Sequence, residues 1–484
     1  MRRWFSAAFP AVFAALVASA IAAGCGGSHH AARKDDTVAP LLRNDPPAPV
    51  DPQIAGLPGA RGFWMPDDEY GQVYVVTVGP AHAPAGPTLV LVHGLGTEGM
   101  RDWYPVLAPL AEHRRVVMFD LPGFGRSGHA NMKYAPARYA AVMSRVIAGY
   151  GPGPVDVVGH SMGGAISLFH ASAYPEQVRR LVIVDAAGIL HRDAWAAHHV
   201  RRVTDPARIL LPKVADMLGQ AAELIADTSR ILDPAPDIVL ELAPLRAKLL
   251  GGKPERIAAL GLILQDFGPV IARIRAPTLV VWGGDDMIAP LRTGLMLGDR
   301  LPDAQLVVFP GIGHTVMAQA PAQLVTQIER HLGSAALGPL RAPVLATASQ
   351  GKAVCHGLPD MHFTGVYDSV EIEDCERVTL DQVHAGSLVI RRSTASVVRS
   401  TFTGGIVADT STVLMTGGEI DGDLAVDAKD SKLDLAGVAI DARREPFRAN
   451  SQSRLLLSAC PIRTPEGSGF RHGFVTVPVG PSAL

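Results

Sequence analysis

Apolar residues in the first two thirds of this chain fall in short continuous runs. Val73–Val78, Leu89–Val92, Val116–Asp120, Val155–Val158, Leu181–Val184, Thr278–Trp282 and Leu306–Phe309 are each rich in Val, Leu and Ile. Runs of this length and composition predict strands covered on both faces. Between several of them apolar positions recur at helical spacing, as in Tyr139–Ala148 and Ala322–His331. Strands alternating with helices predict an α/β fold: a doubly wound, mostly parallel sheet with helices on both faces. The rhythm is interrupted from about Ile189 to Ile274, an interval rich in Ala, Leu and charge and broken by Pro206, Pro212, Pro234, Pro236 and Pro244.

The pattern changes towards the C-terminus. From about Asp368 it repeats every 18 residues: Val370, Leu388, Ile406 and Leu424 are in step, as are Ile372, Ile390, Ala408 and Val426. Gly386, Gly404 and Gly422 recur at the same interval, with Asp368 at the earlier equivalent, and Phe402, Ile420 and Val438 continue it. Short alternating strands with glycine-containing turns at a fixed period predict stacked rungs, because one rung cannot bury its apolar face alone. Residues 351–484 are therefore expected to form an all-β domain, a short β-solenoid, with a small sandwich as the alternative. Its flat face would offer contact to polysaccharide or protein. Asp421, Asp423, Asp427 and Asp430 are expected on a solvated face, not around a calcium ion. Residues 333–350, rich in Ala, Pro and Ser, are expected to be a linker.

Candidate chemistry lies at strand ends in the first region. Gly159–Gly163 reads GHSMG, after the apolar run from Val155 and before a helix-compatible stretch. The pattern G-x-S-x-G between strand and helix is that of a nucleophile elbow, where glycines permit a tight turn that lifts the serine out of the sheet. Asp285 and Asp286 follow the strand run LVVWG, and His314 follows LVVFPGIG. Upstream, Leu89–Gly96 reads LVLVHGLG. A serine hydroxyl is a weak nucleophile that needs a neighbouring base, and the base needs an orienting acid. The order Ser161, Asp, His314, each after a strand, meets those needs.

From about Phe63 to Leu332 these motifs resemble the α/β-hydrolase superfamily. FDLPGFGRS at Phe119–Ser127 and the G-x-x-D-x-x-x-P spacing of Gly283, Asp286 and Pro290 belong to the same resemblance. It implies a catalytic triad of Ser161, Asp286 and His314, with Asp285 or Asp185 as alternative acids, and an oxyanion hole from the N–H groups of Leu95 and Met162. It implies that 62–332 is the hydrolase domain and that about 189–274 is a helical cap. Serine as nucleophile disfavours dehalogenase and epoxide hydrolase chemistry, whose relatives use Asp. Carboxylesterase or lipase action on a small-molecule or lipid ester is the expectation, with a C–C bond hydrolase or haloperoxidase behind it. His93 is expected to be structural, and neither metal nor cofactor is implied. The other class of function is a surface or assembly protein led by the solenoid, its hydrolase domain weakly active or inactive. An intact Ser161, Asp286 and His314 set favours the enzyme.

Arg2 and Arg3 precede an apolar stretch from Trp4 to Ala23, and IAAGC ends at Cys25. Such a segment is a secretory signal, and its end resembles a bacterial lipobox. Residues 1–25 would then be a lipoprotein signal ending at a lipidated Cys25, with 26–61 a Pro-rich flexible tether. The protein is expected in the bacterial cell envelope, held to the membrane by its N-terminal lipid, with Gly26 favouring the outer membrane. An uncleaved transmembrane anchor or a plain secretory signal is the alternative. With Cys25 acylated, Cys355, Cys375 and Cys460 allow one internal disulfide, whose pairing stays open. A net charge of −2 gives no reason to expect nucleic acid.

Overall fold

A computed structural model describes residues 45–80, 86–151, 153–203, 236–333 and 348–475. Cys25 and the signal, the tether as far as residue 44, the middle of the cap and most of the linker lie outside the described residues. Among the described residues no helix is long and apolar enough to cross a membrane.

The first region is built on nine strands: β1 (Pro47–Ala48), β2 (Arg61–Asp67), β3 (Gly71–Val78), β4 (Leu89–Val92), β5 (Val116–Phe119), β6 (Val155–His160), β7 (Val178–Val184), β8 (Thr278–Gly283) and β9 (Ala304–Phe309). Their order is β1-β2-β3-β5-β4-β6-β7-β8-β9. From β5 through β9 the neighbours are parallel, and β1, β2 and β3 form an antiparallel edge. β4, β5, β6 and β8 are buried at every position, as runs without polar alternation require. The helices Pro136–Tyr150 and Met162–Ala173 pack with one face of the sheet, and Tyr104–Leu110 and Pro321–Gly333 pack together with the other.

The edge corrects one expectation. Residues 45–61 are not tether. Pro47 and Ala48 pair with β2, Ile54 is 3% exposed in the core, and buried Asp51 pairs with Arg101 at 2.8 Å. The prolines that read as an extended linker are compatible with an edge strand, which has no need of every N–H.

The cap interval supplies the helices Arg192–Val203, Pro236–Glu241, Ala243–Leu250, Pro254–Ile263 and Gly268–Ile271 between β7 and β8. Val239 and Leu240 are buried in the same apolar cluster as the sheet.

Residues 352–474 are all β. Strand pairing there is parallel except for the last pair, Arg454–Thr464 with Gly467–Phe474. Val370 stands opposite Leu388 and Leu388 opposite Ile406, at the 18-residue interval. The next step differs: Ile406 pairs with Val426, not Leu424. Phe402 still pairs with Ile420 at 18 residues, so the two extra residues lie between Ile420 and Val426; Leu424 there is half-buried while Val426 is buried. Gly386 and Gly404 are required by close approach, since a Cβ would lie 2.5 Å from the Asp368 carbonyl oxygen and 2.6 Å from that of Gly386. Cys355 and Cys375 form the disulfide, and Cys460 is a buried thiol pushed up to about 11 by desolvation.

This β region packs firmly on the hydrolase region. Ala436, Leu456 and Ala459 belong to the apolar cluster that includes the sheet and cap. Arg292, on the helix Leu291–Arg300, reaches Thr416 Oγ1 at 2.8 Å, Asp434 Oδ2 at 2.8 Å and the carbonyls of Met415 and Asp434 at 2.9 and 2.8 Å. The Gly418 N–H donates to Asp299, and the His191 N–H at the start of the cap donates to Ser458 Oγ.

Candidate active site

β6 ends in a strained turn. Ser161 has φ 53 and ψ −121, a conformation that L-residues avoid, between the strand and the helix Met162–Ala173. Glycine on both sides is a packing requirement. A Cβ on Gly159 would lie 2.4 Å from the Gly163 carbonyl oxygen, and one on Gly163 would lie 2.3 Å from that of Val92. The turn raises Ser161 beside two other strand ends. His314 Nε2 is 3.0 Å from Ser161 Oγ, and His314 Nδ1 is 2.7 Å from Asp286 Oδ2. The Asp286 carboxylate is buried, and its Oδ1 also accepts the N–H groups of Ile288 at 2.7 Å and Ala289 at 2.9 Å. Three donors on one carboxylate fix its direction. Asp285 is exposed and points no such contact at His314; its N–H donates to the Ile312 carbonyl.

The H-G turn after β4 abuts Ser161. A Cβ on Gly94 would stand 3.0 Å from Ser161 Cβ, which brings the following residue, Leu95, to the mouth of the site with a 41% exposed side chain. Met162 opens the helix after the elbow, where an N–H has no intrahelical acceptor. His93 is held inside: its Nε2 accepts the Leu121 N–H at 2.9 Å, so Nδ1 carries the proton and donates to the Gly94 carbonyl at 2.8 Å. That ties the turn to the strand beside it.

Sequence reasoning did not single out three further residues. His160, the second residue of the pentapeptide, donates from Nε2 to the His314 carbonyl at 2.9 Å, and burial pushes it down to about 3, so it stays a neutral clamp. Trp195, on the first cap helix, donates to the Ile288 carbonyl at 2.7 Å and so anchors the cap to the acid loop. Asp102, half-buried in the turn Gly99–Trp103, faces His93, the Gly94 N–H and His314; burial raises its carboxyl above the usual range. None lies in a spacing pattern that sequence alone interprets. Asp185, weighed as an acid, lies behind the triad, fully buried, with a carboxyl oxygen accepting the Gly283 N–H at 2.8 Å.

Donor atoms of His160, Asp185 and His314 lie within 4.8 Å of one another. The His314 ring is engaged by Ser161 and Asp286, and His160 Nε2 by a carbonyl, so this group reads as the back of the triad and not as a metal centre.

Residues 89–327 match the family description "Alpha/beta hydrolase family". A pimeloyl-[acyl-carrier protein] methyl ester esterase of Chromobacterium violaceum is 31% identical over 252 residues, 51% of this chain and 94% of that protein. A 2-hydroxy-6-oxo-2,4-heptadienoate hydrolase of Pseudomonas putida is 31% identical over 239 residues, 49% of this chain and 85% of its own length. Lipase 1 of Psychrobacter immobilis is 28% identical over 276 residues, 56% of this chain and 81% of that protein.

Proposed function

We propose that this chain, which belongs to the alpha/beta hydrolase family, hydrolyses carboxylic esters through an acyl-enzyme on Ser161. The observation that carries this reading is His314 bridging Ser161 Oγ at 3.0 Å and Asp286 Oδ2 at 2.7 Å, with Ser161 on a strained elbow. His314 takes the proton of Ser161 as the hydroxyl attacks the ester carbonyl, and returns it to the leaving alcohol. Asp286 holds the Nδ1–H tautomer and stabilises the imidazolium. The Leu95 and Met162 N–H groups receive the oxyanion, each contributing about 3 kcal/mol to the transition state. Water, activated by the same His314, then releases the acid.

The esterase and lipase among the relatives support ester chemistry. The Pseudomonas putida relative, named for a dienoate, supports a second reading, a C–C bond hydrolase on the same triad. An exported protein would rarely meet such catabolites, which places esters first. The test is a fluorophosphonate probe on the full chain, followed by p-nitrophenyl esters of increasing acyl length and a vinylogous diketone acid. Labelling at Ser161 with ester turnover, both lost in Ser161→Ala with an unchanged melting temperature, is the expected result. Cleavage of the diketone alone replaces the ester reading by the second one; folded protein without labelling favours the binding or assembly role.

The reading extends to the ends of the chain. Cys25 is the site of acylation, and the enzyme works from the bacterial envelope on esters near a membrane. Cys25→Ser is expected to move the protein from the membrane fraction to the soluble fraction; retention in the membrane would favour a transmembrane anchor. The C-terminal region is read as a β-solenoid, supported by its parallel registers at intervals of about one rung.

A further inference from the structure

Asp185 terminates β7 in the left-handed region, at φ 47, with its carboxyl fully buried. One oxygen accepts the Gly283 N–H at 2.8 Å. The carboxyl lies within 4.8 Å of ring nitrogens of His160 and His314, and so beside the Asp286 carboxylate that His314 Nδ1 holds at 2.7 Å. Two carboxyl groups meeting through their oxygens present only lone pairs to each other, so the contact repels unless one of them supplies a proton. Asp286 already accepts three donors, from His314, Ile288 and Ala289. Asp185 accepts one. The proton therefore resides on Asp185.

We propose that Asp185 is a positioning residue of the triad: its carboxyl donates a hydrogen bond to Asp286 and so limits how strongly Asp286 holds the His314 imidazolium. Burial, and then the negative charge of Asp286, keep the Asp185 carboxyl well above the usual carboxylate range. A donor on Asp286 withdraws negative charge from it. His314 thereby loses its proton more readily and is ready as a base at lower pH. The other titratable groups facing this cluster are His160, clamped to the His314 backbone, Asp102 across the mouth, and His93 behind the H-G turn. Asp102 is the one that could add a limb of its own, so the comparison is between variants in which it is retained.

This inference rests on the triad reading above. It is tested in the full chain by the pH profile of kcat/KM for p-nitrophenyl butyrate, and by the downfield proton resonance of His314 Nδ1–H, whose titration reads the pair without turnover. Asp185→Asn keeps a donor and no charge. It is expected to hold kcat/KM within about threefold and to leave the acid limb in place. Asp185→Ala removes the donor and is expected to move the acid limb upward by about half a pH unit or more, with the resonance titrating in parallel. A downward move of the acid limb in Asp185→Asn would mean that a negative charge had been lost, and overturns the proposal. An unmoved limb in folded Asp185→Ala also overturns it. If Asp185→Ala does not fold, Asp185→Asn and the resonance decide alone. If the parent shows no turnover, the ester reading fails while the His314 titration still tests the pair.

Discussion

At Ser161 the backbone, not the side chain, meets the unusual demand: φ 53 can be held only because Gly159 and Gly163 leave room for carbonyl oxygens within 2.4 Å of where a Cβ would be. The choice of acid is made on the same scale. Asp285 and Asp286 are adjacent and chemically identical, yet only Asp286 is buried against His314 Nδ1. Asp286→Asn should therefore lower kcat by about 10⁴ by stabilising the wrong imidazole tautomer. Asp285→Asn should leave ester turnover close to that of the parent. Steady-state kinetics of the two variants read this directly; equal losses would reassign the acid.

Among elements, the parallel strands of the C-terminal region are joined by a device that hydrophobic patterning does not reveal. Ser393 Oγ accepts the Cys375 N–H, Ser411 Oγ that of Ser393, and Ser431 Oγ that of Ser411. Each hydroxyl also donates to a carbonyl of its own turn, so the interior of each corner is satisfied. Outside, arginines bridge neighbouring strand segments: Arg392 to Asp374, and Arg443 to Asp421 and Asp423. These exposed pairs contribute little each. The helix Leu291–Arg300 is different, because the guanidinium of Arg292, 8% exposed, enters the β region and is fully engaged there. Arg292→Ala leaves Asp434 and two carbonyls without their donor, and is expected to cost about 3 kcal/mol in urea unfolding. The kcat/KM of the folded fraction should be unchanged, since the triad lies on other elements.

For the molecule as a whole, acid should be destabilising. Burial pushes His160 down to about 3, and His170, His191 and His331 down to about 4. In the unfolded chain these groups take up protons near pH 6.5. Their folded values are depressed, so this part of the stability is fully present above about pH 6.5 and is lost as pH falls towards 4. The raised carboxyls of Asp102, Asp156 and Asp185 act in the opposite sense, favouring the folded state in acid. Urea midpoints between pH 7.5 and 4.5 are expected to fall steadily, the four histidines outnumbering the three acids; a flat profile would show that they are not buried neutral. His191 and His472 touch across the boundary between the cap and the β region, at 5.1 Å between ring centres, so the loss should include that boundary.

What the sequence determined by itself is what depends on local pattern. The parallel core strands, the elbow at Ser161, the strand-end positions of Asp286 and His314, and the 18-residue interval all follow from periodicity and from residues that tight turns require. What only the tertiary structure decided depends on neighbours distant in the chain. Pro47 and Ala48 joined the sheet edge, and Asp51 became buried beyond them, because β2 and Arg101 lay ready to receive them. Ile406 came to pair with Val426, 20 residues on, and not with Leu424, because two more residues lie between Ile420 and Val426 than between Phe402 and Ile406. Asp185 came to face Asp286 because β7 and β8 are neighbours in the sheet although 98 residues separate Asp185 from Gly283. A pattern of apolar residues states which face is buried; it does not state what that face will meet, and the chemistry of buried carboxyls, histidines and arginines is set by what they meet.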